Sequence, residues 1–126
     1  MSPIPLHHVW QYSDVDRVFW QERLEEWMPG RIFDAHTHVN EPEYLLYPPS
    51  EEKLRQYWVA EVSQPIGADA AARCYAAVFL EREFSCLAFG HPSLDYDIAA
   101  SNAALAEACS RHGWYRLAVV CPDWPV

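Results

Sequence analysis

Phe33-Asp34-Ala35-His36-Thr37-His38-Val39, entered through Pro29-Gly30-Arg31-Ile32, has the composition of a short buried strand that follows a break. Side chains alternate along a strand, so Ile32, Asp34, His36 and His38 are expected on one face and Phe33, Ala35, Thr37 and Val39 on the other. That places two imidazoles side by side with Cα atoms roughly 6.5 Å apart, close enough for both rings to reach one cation. A metal satisfies two rings at once where an apolar strand end would otherwise leave them poorly solvated. Asp34 is expected one step deeper on the same face, where a carboxylate would orient a ring or border the metal.

Beyond this strand, Asn40 to Pro49 is a loop with Pro42, Pro48 and Pro49 in it. Loops of about a dozen residues are uncommon unless they carry function or are disordered, and since this one leaves the strand end with the histidines it is a candidate wall or lid, with Tyr44 and Tyr47 as substrate contacts or as anchors for the loop. Ser50 then caps an expected helix over residues 51 to about 62, with Leu54, Tyr57 and Trp58 on one face. A further helix, residues 68 to 78, is rich in alanine and puts Ala71, Cys74, Tyr75 and Val78 on one stripe. Residues 84 to 89 read as a second buried strand, ended by Gly90-His91-Pro92. From Asp95 or Asp97 as cap, a long helix reaches about His112, with Ile98, Leu105, Cys109 and His112 buried, Asn102 on the same stripe and Gly113 as the stop. Residues 115 to 121 read as a third strand, broken by Pro122-Asp123-Trp124-Pro125.

Upstream, Pro3 and Pro5 argue for an irregular arm over residues 1 to 12, with Trp10 and Tyr12 packing and His7 and His8 on the surface. Ser13 caps a helix expected to reach about Met28, with Asp14 and Asp16 in its first turn and Trp20, Leu24, Trp27 and Met28 as its apolar face. Strands alternating with helices imply a parallel sheet under helical cover, with reactive residues gathered at the strands' carboxyl ends. His36, His38, His91 and Asp123 all fall at such ends.

Composition narrows the partners. A formal charge of −9 with Lys53 as the sole lysine disfavours nucleic acid and anionic membrane surfaces, which need basic patches. A small-molecule substrate is left open. Cys74, Cys86, Cys109 and Cys121 are too widely spaced for a Cys-x-x-Cys pair and read as reduced, buried residues. With no signal-peptide pattern and no run of about 18 apolar residues, a cytoplasmic protein is expected.

Phe-Asp-Ala-His-Thr-His-Val after Pro-Gly-Arg-Ile resembles the first-strand metal motif of the amidohydrolase superfamily, metal-dependent hydrolases on a (β/α)₈ barrel. The helix before His112 and the strand after it resemble, less specifically, the second and third units of that barrel. The resemblance implies His36 and His38 as ligands of a divalent metal, zinc before others, and Asp34 matches the acidic residue often found two positions earlier in that motif; Tyr44 and Tyr47, from their loop, and His91 and Asp123, from their places at strand ends, are the further candidates for lining the site. It implies a metal-activated water attacking a carbonyl-like centre; decarboxylation or isomerisation on the same site is the neighbouring expectation. Such a barrel needs about 250 residues, so 126 residues imply its N-terminal portion: an arm and helix over 1 to 30, then three strands and their helices over 31 to 126. On that expectation the remaining ligands and the general base belong to a missing C-terminal part, and this chain alone is inactive. A self-standing small α/β module without turnover is the alternative.

Overall fold

The structure, a computed structural model, describes residues 4 to 7, 10 to 56 and 65 to 124, with side chains from Gln11 onward. It opens on a β-hairpin rather than an irregular arm. β1 (Ile4–His7) pairs antiparallel with β2 (Trp10–Tyr12), with an irregularity between Pro5 and His7. A two-stranded ribbon leaves each strand one free edge, which is where a proline without an N–H is tolerated. The expectations for Trp10 packing and for His7 and His8 at the surface concern side chains outside the described residues.

α1 (Asp14–Phe19) begins where expected, and the Asp16 carboxylate accepts both the Ser13 N–H (2.8 Å) and the Ser13 hydroxyl (2.7 Å). It does not continue as an α-helix to Met28. Residues Trp20–Leu24 widen into a π-turn closed by Glu25 N–H to Trp20 O at 2.9 Å. The wider turn advances fewer degrees per residue and breaks the expected apolar stripe. Trp20 is buried, edge-on to Phe79 and under the Arg82 guanidinium at 5.4 Å, whereas Trp27 is exposed and donates to Arg23 O.

Three parallel strands form the main sheet in the order β3 (Arg31–His38), β4 (Glu83–Phe89), β5 (Tyr115–Arg116). Among the described residues α2 (Glu51–Gln56) is the first part of the helix expected after Ser50, and the remainder of that expectation, residues 57 to 62, lies outside them. α3 (Ala68–Val78) has the expected bounds. α4 (Ile98–His112) is capped by Asp97, which accepts the Ala100 N–H at 3.0 Å, and is stopped by Gly113 at φ 69°, a left-handed conformation that suits glycine.

The parallel α/β order is therefore present, but the barrel expectation is overturned. The sheet is open, with β3 and β5 as its edges and the hairpin standing as a separate sheet. Barrel closure needs strands long enough to carry a steady tilt and stagger from neighbour to neighbour, and β5 pairs through only Tyr115 and Arg116. The seven-residue third strand of the sequence reading is cut short at Leu117, whose N–H makes the last bond to Ala88 O at 2.9 Å. Beyond it, the Asn102 side chain of α4 takes Val119 on both sides, donating to its carbonyl at 2.7 Å and accepting its N–H at 3.0 Å. A side-chain amide thus satisfies the peptide groups that a neighbouring strand would otherwise use.

Helices cover one face of this sheet. Cys86 and Ala88 of β4 are buried against Ala68, Ala71, Leu105, Ala108 and Cys109, with Val39 and Trp114 completing the core. Small residues on both sides allow close approach of helix to sheet, and a half-buried aromatic group fills the wider end. Tyr75 stacks on Phe84 with ring centres 3.7 Å apart, Phe79 lies 5.7 Å from Phe84, and Trp114 stands edge-on to both Tyr75 and Phe84. α3 and α4 are also tied at the surface, where His112 Nε2 meets Asp69 Oδ1 at 2.8 Å. The opposite face of the sheet is less covered: Phe33, Tyr115 and Leu117 are exposed there, and Phe33 meets Tyr115 edge to face.

Candidate functional site

The carboxyl ends of β3 and β4 hold the site, and an irregularity in β3 shapes it. Asp34 pairs with Cys86 and Thr37 with Ala88, three steps along β3 against two along β4, so β3 carries one extra residue between them. This is a β-bulge, which bends a strand and re-aims its side chains. Its mark is visible in burial: Ile32 and Asp34 are half-buried, Ala35 and His36 are both exposed, and Thr37 and Val39 are buried. Asp34 therefore turns to the helix-covered face with Thr37. The expected strict alternation, with Asp34 below the histidines on their own face, does not hold.

The histidines instead leave the strand on the face that the described residues cover less. His36 and His38 have ring centres 5.1 Å apart, and both stand edge to face on Phe89, at 4.9 and 4.5 Å. Phe89 is the β4 residue paired with His38, and its carbonyl accepts the Val39 N–H at 3.0 Å. His91 follows immediately, its ring 5.5 Å from that of His38, with its backbone N–H donated to Asn40 Oδ1 at 2.8 Å. Asn40 is buried and its own N–H is given to Ile66 O at 3.0 Å. One asparagine thus fixes the two chain segments that carry the three imidazoles.

His38 is the electrostatically distinct member. Desolvation first, then the neighbouring His91 and His36, hold its pKa below the ordinary 6.5, against a backbone contact with Gly90 that works the other way. Among the described residues its buried Nδ1 has no hydrogen-bond partner. A neutral imidazole with an unpartnered buried nitrogen is a ligand-like group.

The loop after β3 is pinned at both ends. The Glu41 carboxylate accepts the Ala68 N–H at 2.9 Å, at the positive end of α3. A Cβ at Gly67 would fall on that carboxylate, so a larger residue there must push the Glu41 side chain aside. Further on, Leu46 and Tyr47 donate backbone N–H groups to Asp95 O, Tyr44 O accepts from Asp97, and Leu45 bridges Tyr96. Tyr44 is half-buried in a short 3₁₀ turn (Pro42–Tyr44), while Tyr47 is largely exposed. Asp123 is exposed in the turn closed by Trp124 N–H to Cys121 O at 3.1 Å. Asn40 and Phe89 belong to the site without having been anticipated. Their signals are weak: Asn40 lies two residues after His38, and Phe89 becomes a wall only through strand register.

An imidazole nitrogen about 2.0 Å from zinc puts its ring centre about 3.2 Å from the ion, so two ligands at a tetrahedral angle have ring centres about 5.2 Å apart. The His36–His38 and His38–His91 spacings of 5.1 and 5.5 Å match that figure. Yet among the described residues no group of three or more His, Cys, Asp or Glu side chains is placed to hold a metal ion. The ring spacing, and a His38 nitrogen without a partner among the described residues, fit a divalent ion on His36 and His38; His91 adjoins the pair without completing a ligand set.

No family model matches the chain, and no curated protein and no solved structure is similar to it. Among the described residues no helix is long and apolar enough to cross a membrane.

Proposed function

We propose that this chain supplies the metal-holding histidine pair of a metal-dependent hydrolase of the amidohydrolase type, acting on a small molecule with a carbonyl-like centre. The observation that carries the reading is the His36–His38 pair, with ring centres 5.1 Å apart at the less covered end of the sheet and, among the described residues, no partner for the buried Nδ1 of His38. A divalent ion held there, zinc being the simplest choice for imidazole donors, would lower the pKa of a bound water to about 7 and polarise a carbonyl. His38, kept neutral by its surroundings, has a lone pair to give at neutral pH. Phe89 walls one side of both rings and limits water there, and the ring of His91 lies close enough to meet a polar group of a substrate bound at the pair.

A second reading has its own observation. With no third acidic, thiol or imidazole donor in place among the described residues, the pair suits metal or ligand binding without turnover. Assay of the zinc-supplemented chain against amides, lactones and aromatic acids, with product analysis, separates the two. Hydrolysis that is abolished in His36→Ala and His38→Ala supports the enzyme. Turnover equal in the wild type and both variants contradicts it, and bound metal without turnover favours the binding module.

A further inference from the structure

We propose that Tyr75, with Asp34 and Thr37, forms a clamp that fixes the bulge of β3 and so aims His36 and His38 together onto the less covered sheet end; this deepens, and rests on, the reading of those histidines as a ligand pair.

The clamp is visible in one oxygen. The Tyr75 hydroxyl lies 3.0 Å from Thr37 Oγ1 and donates, over a longer 3.4 Å, to Asp34 Oδ2. Residues three apart in a regular strand point to opposite faces, so no single atom of α3 reaches both side chains unless an extra residue lies between them. The other carboxylate oxygen of Asp34 accepts the His36 N–H at 2.9 Å, which folds the extra residue outward. Asp34 thus bridges helix and bulge with both oxygens occupied.

Without the bulge, a strand in phase with Ile32 and Asp34 would direct His36 and His38 into the face packed by Cys86 and the alanines of α3. Burying two imidazoles there without partners is costly. Tyr75 is itself held in place, stacked on Phe84 at 3.7 Å and edge-on to Trp114. Burial pushes its phenol up to about 12, so the hydroxyl stays protonated and keeps its hydrogen to donate. Tyr75, Asp34 and Thr37 are positioning residues: none of them is among the rings that line the less covered side.

The test uses the full chain, isotope-labelled and metal-free, as wild type and as Asp34→Ala, Asp34→Asn and Tyr75→Phe. Two quantities are read: amide hydrogen exchange at His36, and the nuclear Overhauser contact between the His36 and His38 rings. Asp34→Asn keeps an oxygen for the His36 N–H and should preserve both. Asp34→Ala should speed exchange at His36 by about tenfold or more, the factor expected for loss of a hydrogen bond to a charged group, and weaken the ring contact. Tyr75→Phe should fall between them. If Asp34→Ala does not fold, Tyr75→Phe decides. Wild-type exchange and an intact ring contact in folded Asp34→Ala or in Tyr75→Phe would overturn the clamp. A zinc titration run on the same samples keeps the two claims apart. Clamp variants that behave as stated in a chain that binds no zinc reject the metal reading alone, and histidine-dependent zinc binding indifferent to Asp34→Ala and Tyr75→Phe rejects the clamp alone.

Discussion

Asp34 accepts the amide proton of His36 at 2.9 Å, so the carboxylate expected to stand beneath the histidine is the group that turns it away. Between Asp34 and Thr37 the strand carries one residue more than its partner. Deleting Ala35 would therefore leave Thr37 inward and both histidines outward in a regular strand. The expected result is a folded protein whose melting temperature falls by no more than about 5 °C, the shift that roughly 1 kcal/mol produces in a domain of this size. Loss of the cooperative transition, or of the Thr37 to Tyr75 contact by nuclear Overhauser effect, would show the bulge to be more than a phase change.

How much of this was legible beforehand depends on the range of the forces involved. The bounds of α3 and the Asp97 and Gly113 ends of α4 follow from local signals: alanine content, a capping carboxylate and a glycine stop. Pairing of His36 with His38 followed from their even spacing alone. The bulge did not, because it depends on Tyr75, some forty residues away in the chain, as the separation of 41 from Asp34 shows. Likewise nothing local in residues 115 to 121 announces that Asn102 will take Val119 out of the ladder, and nothing near Trp27 announces the π-turn that leaves it exposed. An open sheet in place of a barrel portion is a further outcome of this kind, set by where β5 stops pairing.

Asn102→Ala removes two hydrogen bonds to the backbone of Val119 and leaves partly buried peptide groups unpaired. A loss of about 1–3 kcal/mol is expected, together with faster amide exchange at Val119. Chemical denaturation checks the first and hydrogen exchange the second. An unchanged midpoint would mean that solvent replaces the asparagine without cost.

Glu41 and Gly67 are expected to act as a unit. Gly67→Ala displaces the carboxylate that caps α3, and Glu41→Ala removes it. Each should cost about 1 kcal/mol, the usual worth of a helix cap. Since both lose the same contact, the double variant should cost much less than the sum of the two. Strict additivity in urea midpoints would show that the two residues do not share that contact.

Stability should fall in alkali. Burial, the first cause in each case, raises the Cys86 thiol from 9.0 to about 11 and the Tyr75 phenol from 10.0 to about 12. Between each pair of values the unfolded chain has lost a proton that the folded chain retains, so unfolding becomes easier as pH rises. The contribution is complete below about pH 9 and is lost progressively between about 9 and 12. Urea midpoints at pH 8, 10 and 11 should decline, and the decline should be shallower in Tyr75→Phe. A flat profile would contradict the burial of both groups.

Zinc titration of the purified, metal-free chain by calorimetry, run beside His36→Ala, His38→Ala and the double variant, tests the ligand pair most directly. Saturable binding of one zinc per chain is expected, weakened by at least about tenfold in each single variant and absent in the double, because each loss opens an already incomplete coordination shell. Binding of equal strength in the double variant, or no saturable binding by the wild type, would contradict the assignment of His36 and His38 as metal ligands.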